Sequence, residues 1–76
     1  MRDLIEFVAR GLVDDPAAVR VEEIPGTPTH VFRLRVAPGD VGKVIGKHGR
    51  TAQSLRLLLA AAAARGGERA VLEIQE

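Results

Sequence analysis

Two glycines three residues apart, with a lysine and a histidine between them and an arginine just after, are the residues of this 76-residue chain best suited to chemistry. In Gly46-Lys47-His48-Gly49-Arg50 the glycines permit a tight bend with no Cβ in the way. The backbone of a ligand can then come close to that of the protein. A long helical pattern begins near Arg50. Its unpaired N–H groups and positive dipole end would point into the same place. Lys47 and Arg50 add side-chain charge and His48 an imidazole, with Lys43 close by. The chemistry this suits is the holding of phosphate. A lone G-x-x-G fits a plain helix–helix turn equally well, so its surroundings must decide.

Other chemistries find less support. A Walker A loop needs G-x-x-x-x-G-K-[ST] after a strand; Gly42 to Gly46 is one residue short, and Lys47 is followed by His48. A dinucleotide fingerprint needs another glycine spacing and a full βαβ unit. His30 and His48 are the only histidines and lack further ligands at metal-binding spacing, so no metal or cofactor is expected. Ser54 has no histidine or lysine at neighbouring helical positions. The carboxylates are scattered, and no set of residues takes on catalytic roles. The expectation is a protein that is not an enzyme.

The formal net charge of +1 conceals an asymmetry. Residues 1–29 hold three basic and six acidic residues, a balance of −3. Residues 30–65 hold seven basic residues against Asp40 alone, a balance of +6. Residues 66–76 return to −2, with one basic residue and three acidic. A polyanion would be drawn to the middle and repelled by the ends. With 46% hydrophobic and 28% charged residues the chain reads as globular, and 76 residues suffice for one domain, 1–76. There is no cysteine to staple anything smaller. The longest apolar run, Leu57 to Ala64, is far short of the roughly 20 residues of a membrane span. Acids at Asp3 and Glu6 spoil any signal-peptide reading, so a soluble cytoplasmic protein is expected.

The elements that must position the bend follow from periodicity. Asp3 with Glu6 resembles a capping box opening a helix whose buried stripe is Leu4, Ile5, Val8 and Leu12, with Phe7 at its margin. Asp14-Asp15-Pro16 stops it. Val19–Ile24 and Thr29–Val36 read as an antiparallel pair around the turn Pro25-Gly26-Thr27-Pro28. Phe32, Leu34 and Val36 face one side; Arg33 and Arg35 face the other, as cross-strand partners of Glu22 or Glu73. Asp40 is read as the N-cap of a short helix through Val41, Val44 and Ile45. A long helix runs from Arg50 to Ala64, with Ala52, Leu55, Leu59 and Ala62 inward, and Gly66-Gly67 ends it. Arg69–Gln75 is the last strand, with Ala70, Leu72 and Ile74 inward. The order is α-β-β-α-α-β, an α+β fold. Both phenylalanines sit in apolar-patterned elements and are expected in the core, which leaves no aromatic platform for base stacking.

Val44-Ile45-Gly46-Lys47-His48-Gly49-Arg50-Thr51-Ala52, with Leu55 following, resembles the core of a K-homology (KH) domain. The element order is similar to the type II KH arrangement. That resemblance implies a three-stranded sheet covered on one face by three helices. A chain of this length, starting Leu4-Ile5-Glu6-Phe7 and carrying G-K-x-G-R-T-A, resembles the bacterial KhpA family of single-KH RNA-binding proteins. The resemblance implies that Gly46, Lys47, His48 and Gly49 grip about four nucleotides of single-stranded RNA by the backbone. Lys47 and Arg50 would touch phosphate. Val41, Val44 and part of Ile45 would form one wall of an aliphatic groove for the bases, facing residues of the second strand. A role as RNA chaperone or post-transcriptional regulator goes with it.

One face of the long helix stands outside this scheme. Leu57, Ala60, Ala61 and Ala64 fall opposite the core stripe, where a surface helix is normally polar. Small residues around one leucine admit a second helix, and a strong alanine helix former accounts for them equally. Dimerisation through this face agrees with the resemblance, which implies a homodimer or pairing with KhpB, a second KH-containing protein. The competing reading is a protein-interaction adaptor that uses this face and keeps a silent loop.

Overall fold

The alternation of residues 31–36 organises the molecule. In the computed structural model, which describes residues 1–26 and 28–76, β2 (Thr29–Arg35) is the central strand of three. Phe32, Leu34 and Val36 point to one face and are buried. β1 (Arg20–Ile24) pairs with β2 antiparallel, with Val21 opposite Leu34. β3 (Arg69–Gln75) pairs with β2 parallel, with Leu72 opposite Phe32. A parallel neighbour requires a crossover. The crossover here is α2 (Val41–Ile45), a 3₁₀ turn over Lys47–Gly49, and α3 (Arg50–Ala64). The expected bend therefore sits within the segment that joins two adjacent strands. Thr27, in the expected turn before β2, lies outside the described residues.

α1 (Arg2–Leu12) packs over β1 and β2, α3 over β3, and α2 against α3 and β3. Ile5, Ala9, Phe32, Leu34, Val44, Leu55, Leu59 and Leu72 form one continuous core between helices and sheet. Complete burial of Ile5, Phe32, Leu34 or Leu59 stabilises by about 1.5–3 kcal/mol each. α3 runs back along β3. The Glu68 N–H donates to the Ala63 carbonyl at 2.9 Å, and the Arg56 guanidinium donates to the Leu72 carbonyl at 3.4 Å. The start of α3 thus lies over the C-terminal end of β3. Gly67, at φ +74°, takes the left-handed turn that ends this return. Among the described residues no helix is long and apolar enough to cross a membrane.

Several sequence expectations need correction. Asp3 does not cap α1: the helix begins at Arg2, with Met1 at the N-cap and no side-chain cap bond. Glu6 instead bridges Arg2 at 2.7 Å and Arg10 at 2.8 Å, one turn to either side. The buried stripe of α1 is Ile5 and Ala9, with Val8 half-buried. Leu4 and Leu12 are exposed, and Phe7 is 78% exposed instead of in the core. A helix lying over the edge strand of a three-stranded sheet has room to bury only a narrow strip. In α3 the stripe ends at Ala63, not Ala62, because the last inward step from Leu59 is four residues. Arg33 pairs with Glu22 and Glu73 as expected, but Arg35 stands opposite Arg20 and Gln75.

Candidate nucleic-acid interface

The bend is anchored from below. Val44 is fully buried, which seats α2 in the core two residues before Gly46. This corrects the expectation that Val44 lines a groove: in a helix of five residues it is the one that turns inward. Val41 is half-buried against the core, and Ile45 is exposed. The apolar surface beside the loop therefore comes from Ile45 and part of Val41.

The two glycines answer different needs. Gly46 closes α2, its N–H donating to the Gly42 carbonyl at 2.9 Å, and has φ +79°. A Cβ there would lie 2.2 Å from the Thr51 Oγ1, so α3 itself crowds the position. Gly49, at φ +74°, has open space where its Cβ would be. It is required by its left-handed backbone alone. Its N–H donates to the Gly46 carbonyl at 3.0 Å, closing the turn. Between them His48 also takes a left-handed conformation, φ 57° and ψ 24°, which pushes its side chain outward.

Gly49 is the N-cap residue of α3, and no side chain caps the helix. The first-turn N–H groups are thus left without a side-chain acceptor. Lys47, His48 and Arg50 are exposed and form no ion pair or side-chain hydrogen bond among the described residues. Lys43 is differently placed. Its ammonium lies 2.8 Å from Asp14 and 3.6 Å from the Asp40 carboxylate. The bond to Asp14, and then that residue's negative charge, raises the Lys43 pKa above its ordinary value against the opposing effect of burial, with Asp40 adding to the rise.

Asp40 is the buried polar residue that sequence reasoning placed wrongly. It stands at the N-cap position of α2 but makes no side-chain cap bond there. It is 3% exposed, and its carboxylate accepts the backbone N–H groups of Asp14 at 3.2 Å and Asp15 at 3.1 Å. Burial raises its pKa, but those two N–H groups and the Lys43 ammonium outweigh burial and hold it below its ordinary value. Asp40 thereby fastens the end of α1 to the start of α2, and so fixes where the loop stands. The Asp40–Lys43 spacing was the visible signal; the N–H partners more than twenty residues away were not.

On α3, Leu57 is 71% exposed beside exposed Ala60, Ala61 and Ala64, and Leu58, which was not anticipated, is 55% exposed.

A family model described as "KhpA/KhpB, KH domain" matches residues 2–74. The chain belongs to that family. KH domains of this kind are binding modules and not enzymes. The chain is 53% identical over 72 residues to the RNA-binding protein KhpA of Treponema pallidum, covering 95% of this chain and 90% of the relative. It is 50% identical over 76 residues to that of Aquifex aeolicus, covering 100% and 96%. It is 43% identical over 76 residues to that of Chlamydia pneumoniae, covering 100% and 97%. No solved structure matches the chain significantly. All of the α-β-β-α-α-β fold but the last residue of β3, with its three-stranded sheet and three helices, thus falls within the family match.

Proposed function

We propose that this protein binds single-stranded RNA, gripping the backbone at Gly46-Lys47-His48-Gly49. The observation that carries the reading is the left-handed, solvent-facing turn that feeds an uncapped helix start, ringed by the exposed side chains of Lys47, His48 and Arg50, which are unpaired among the described residues. Such a turn lets a sugar–phosphate chain approach closely, and charge-assisted contacts from Lys47 and Arg50 hold it. Lys43, engaged with Asp14, contributes less. Bases lie toward Ile45 and Val41, so that phosphate contacts position and the apolar surface selects. The relatives, each named an RNA-binding protein, support the same reading. The protein acts as a dimer through Leu57 and its alanine neighbours, or paired with KhpB, as a cytoplasmic RNA chaperone or post-transcriptional regulator.

Joint replacement Lys47→Asp/His48→Asp tests the grip. Both side chains are exposed, and Asp tolerates a left-handed backbone better than most residues. Binding to single-stranded RNA is expected to vanish while the thermal midpoint stays within a few degrees. In the parent, two to four phosphate contacts give a log–log salt slope of roughly −1.4 to −2.8. A flat slope, or a variant that binds like the parent, overturns the reading. The exposure of Leu57 and Leu58 favours one alternative, an adaptor that binds protein alone. Such a protein would show no RNA affinity to lose.

A further inference from the structure

The face of the sheet turned away from the helices carries its own chemistry. Cross-strand pairing arranges it in rows. Ile24, Val31 and Val71 form an apolar row; Glu22, Arg33 and Glu73 form the next; Arg20, Arg35 and Gln75 form the last. The middle row is internally matched, with Arg33 3.5 Å from Glu22 and 3.4 Å from Glu73. The last row is not. It sets two exposed arginines directly opposite each other, an arrangement that destabilises a sheet.

Among the described residues neither Arg20 nor Arg35 meets a carboxylate. One terminal nitrogen of Arg20 donates to the carbonyls of Ala17 and Val19, each at 2.8 Å, which holds the guanidinium at the start of β1. Its other guanidinium nitrogens, and all those of the Arg35 guanidinium, make no bond among the described residues. The Gln75 amide turns away to Glu73 at 3.3 Å. Arg20 and Arg35, with Arg33 and Glu22, line a shallow depression on this face. Glu22 is engaged by Arg33 there.

We propose that Arg20 and Arg35 form a second phosphate site, which holds the RNA backbone beyond the stretch gripped by the loop. The proposal rests on the RNA-binding reading above. Topology places both sites at one end of the molecule. Arg56 of α3 meets Leu72 of β3. From there the helix rises about 9 Å back to Arg50 and the strand about 10 Å on to Gln75. The loop and the arginine row thus lie toward the same edge of the sheet, on opposite faces. A strand leaving the loop needs only to round that edge. Two guanidinium forks on cross-strand neighbours suit phosphate oxygens. An acidic peptide extended along the strands would have to cross the row of Glu22 and Glu73, whereas a phosphate chain crossing the end of the sheet follows the row of Arg20, Arg35 and Gln75, with Glu76 exposed beyond it.

The test compares RNA binding by the parent, by Arg35→Gln and by Arg20→Gln/Arg35→Gln. Two single-stranded RNAs are titrated by fluorescence anisotropy, one of about five nucleotides that fills only the loop site, one of about fifteen. Arg35→Gln removes no bond seen among the described residues, so its result does not depend on folding. Affinity for the longer RNA should fall about fourfold in Arg35→Gln and about tenfold in the double variant at 0.15 M salt, with salt slopes smaller by about 0.7 and 1.4. The shorter RNA should bind all three proteins alike. Equal weakening of both RNAs, or of neither, overturns the proposal. So does unchanged RNA binding with loss of a polyglutamate peptide that the parent captures, which would assign the row to an acidic protein. A parent that binds neither RNA overturns the underlying reading as well. A parent whose binding needs Lys47 and His48 but ignores both arginines overturns only the second site.

Discussion

Gly46 and Gly49 are the same residue held for different reasons, and the difference is measurable. At Gly49 only the left-handed backbone resists a side chain, so Gly49→Ala is expected to cost about 1–2 kcal/mol. At Gly46 the same backbone cost is joined by a Cβ lying 2.2 Å from the Thr51 Oγ1, which must be relieved by moving the start of α3. Gly46→Ala is therefore expected to cost roughly 2–4 kcal/mol. At about 4–8 °C per kcal/mol for a domain of this size, thermal unfolding followed by circular dichroism should rank the two clearly. Equal midpoints would mean that Thr51 yields without cost. That the loop was legible in the sequence follows from this residue type together with the helical patterns on either side, since a lone G-x-x-G fits a plain turn as well. That Val44 would turn inward was not legible. Which side of a five-residue helix is buried depends on how the helix sits against α3 and β3, and local sequence does not encode that.

Between elements, the Asp40 carboxylate does the fastening, and its depressed pKa makes the tie pH-dependent. A carboxyl whose folded pKa lies below its unfolded value contributes stability that is complete above the ordinary value of 3.8 and is lost as pH falls through the lowered one. Asp40→Asn should thus lower the thermal midpoint by several degrees at neutral pH, and the gap to the parent should close below about pH 4. Parallel midpoint-versus-pH curves would show that another group carries the acid limb. Lys43, with its raised pKa, works in the opposite sense: its share is complete below 10.5 and is lost only as pH rises through the raised value. The strands were readable because Phe32, Leu34 and Val36 alternate with charged or half-buried neighbours. α1 was harder. Leu4, Ile5, Val8 and Leu12 have the right period, but period does not tell how wide a strip the narrow sheet can cover, and only Ile5 of the four is fully hidden.

Across the whole molecule, charge and apolar surface are segregated. The segment from residue 30 to 65, with its balance of +6, supplies the loop and α3, while the excess of acids lies in the segments before and after it, at −3 and −2. The field of the protein would steer a polyanion toward one end. Leu57 and Leu58, exposed on α3, give the molecule a second kind of surface. If that surface pairs two copies, sedimentation of the parent at tens of micromolar should show a dimer and Leu57→Glu a monomer, at ordinary weak-dimer affinities of about that order. Affinity for long RNA should then drop with the loss of paired sites while short RNA is held as before. A monomeric parent at that concentration removes self-association.

Val44 and Ala52 are locked into the interior on either side of the elbow. The bend is thus anchored at both flanks before anything arrives. If the bend grips RNA as proposed, more of the entropic penalty falls on the nucleic acid, and a single strand already stretched taut between two hairpins should be captured more firmly than a slack one of the same sequence.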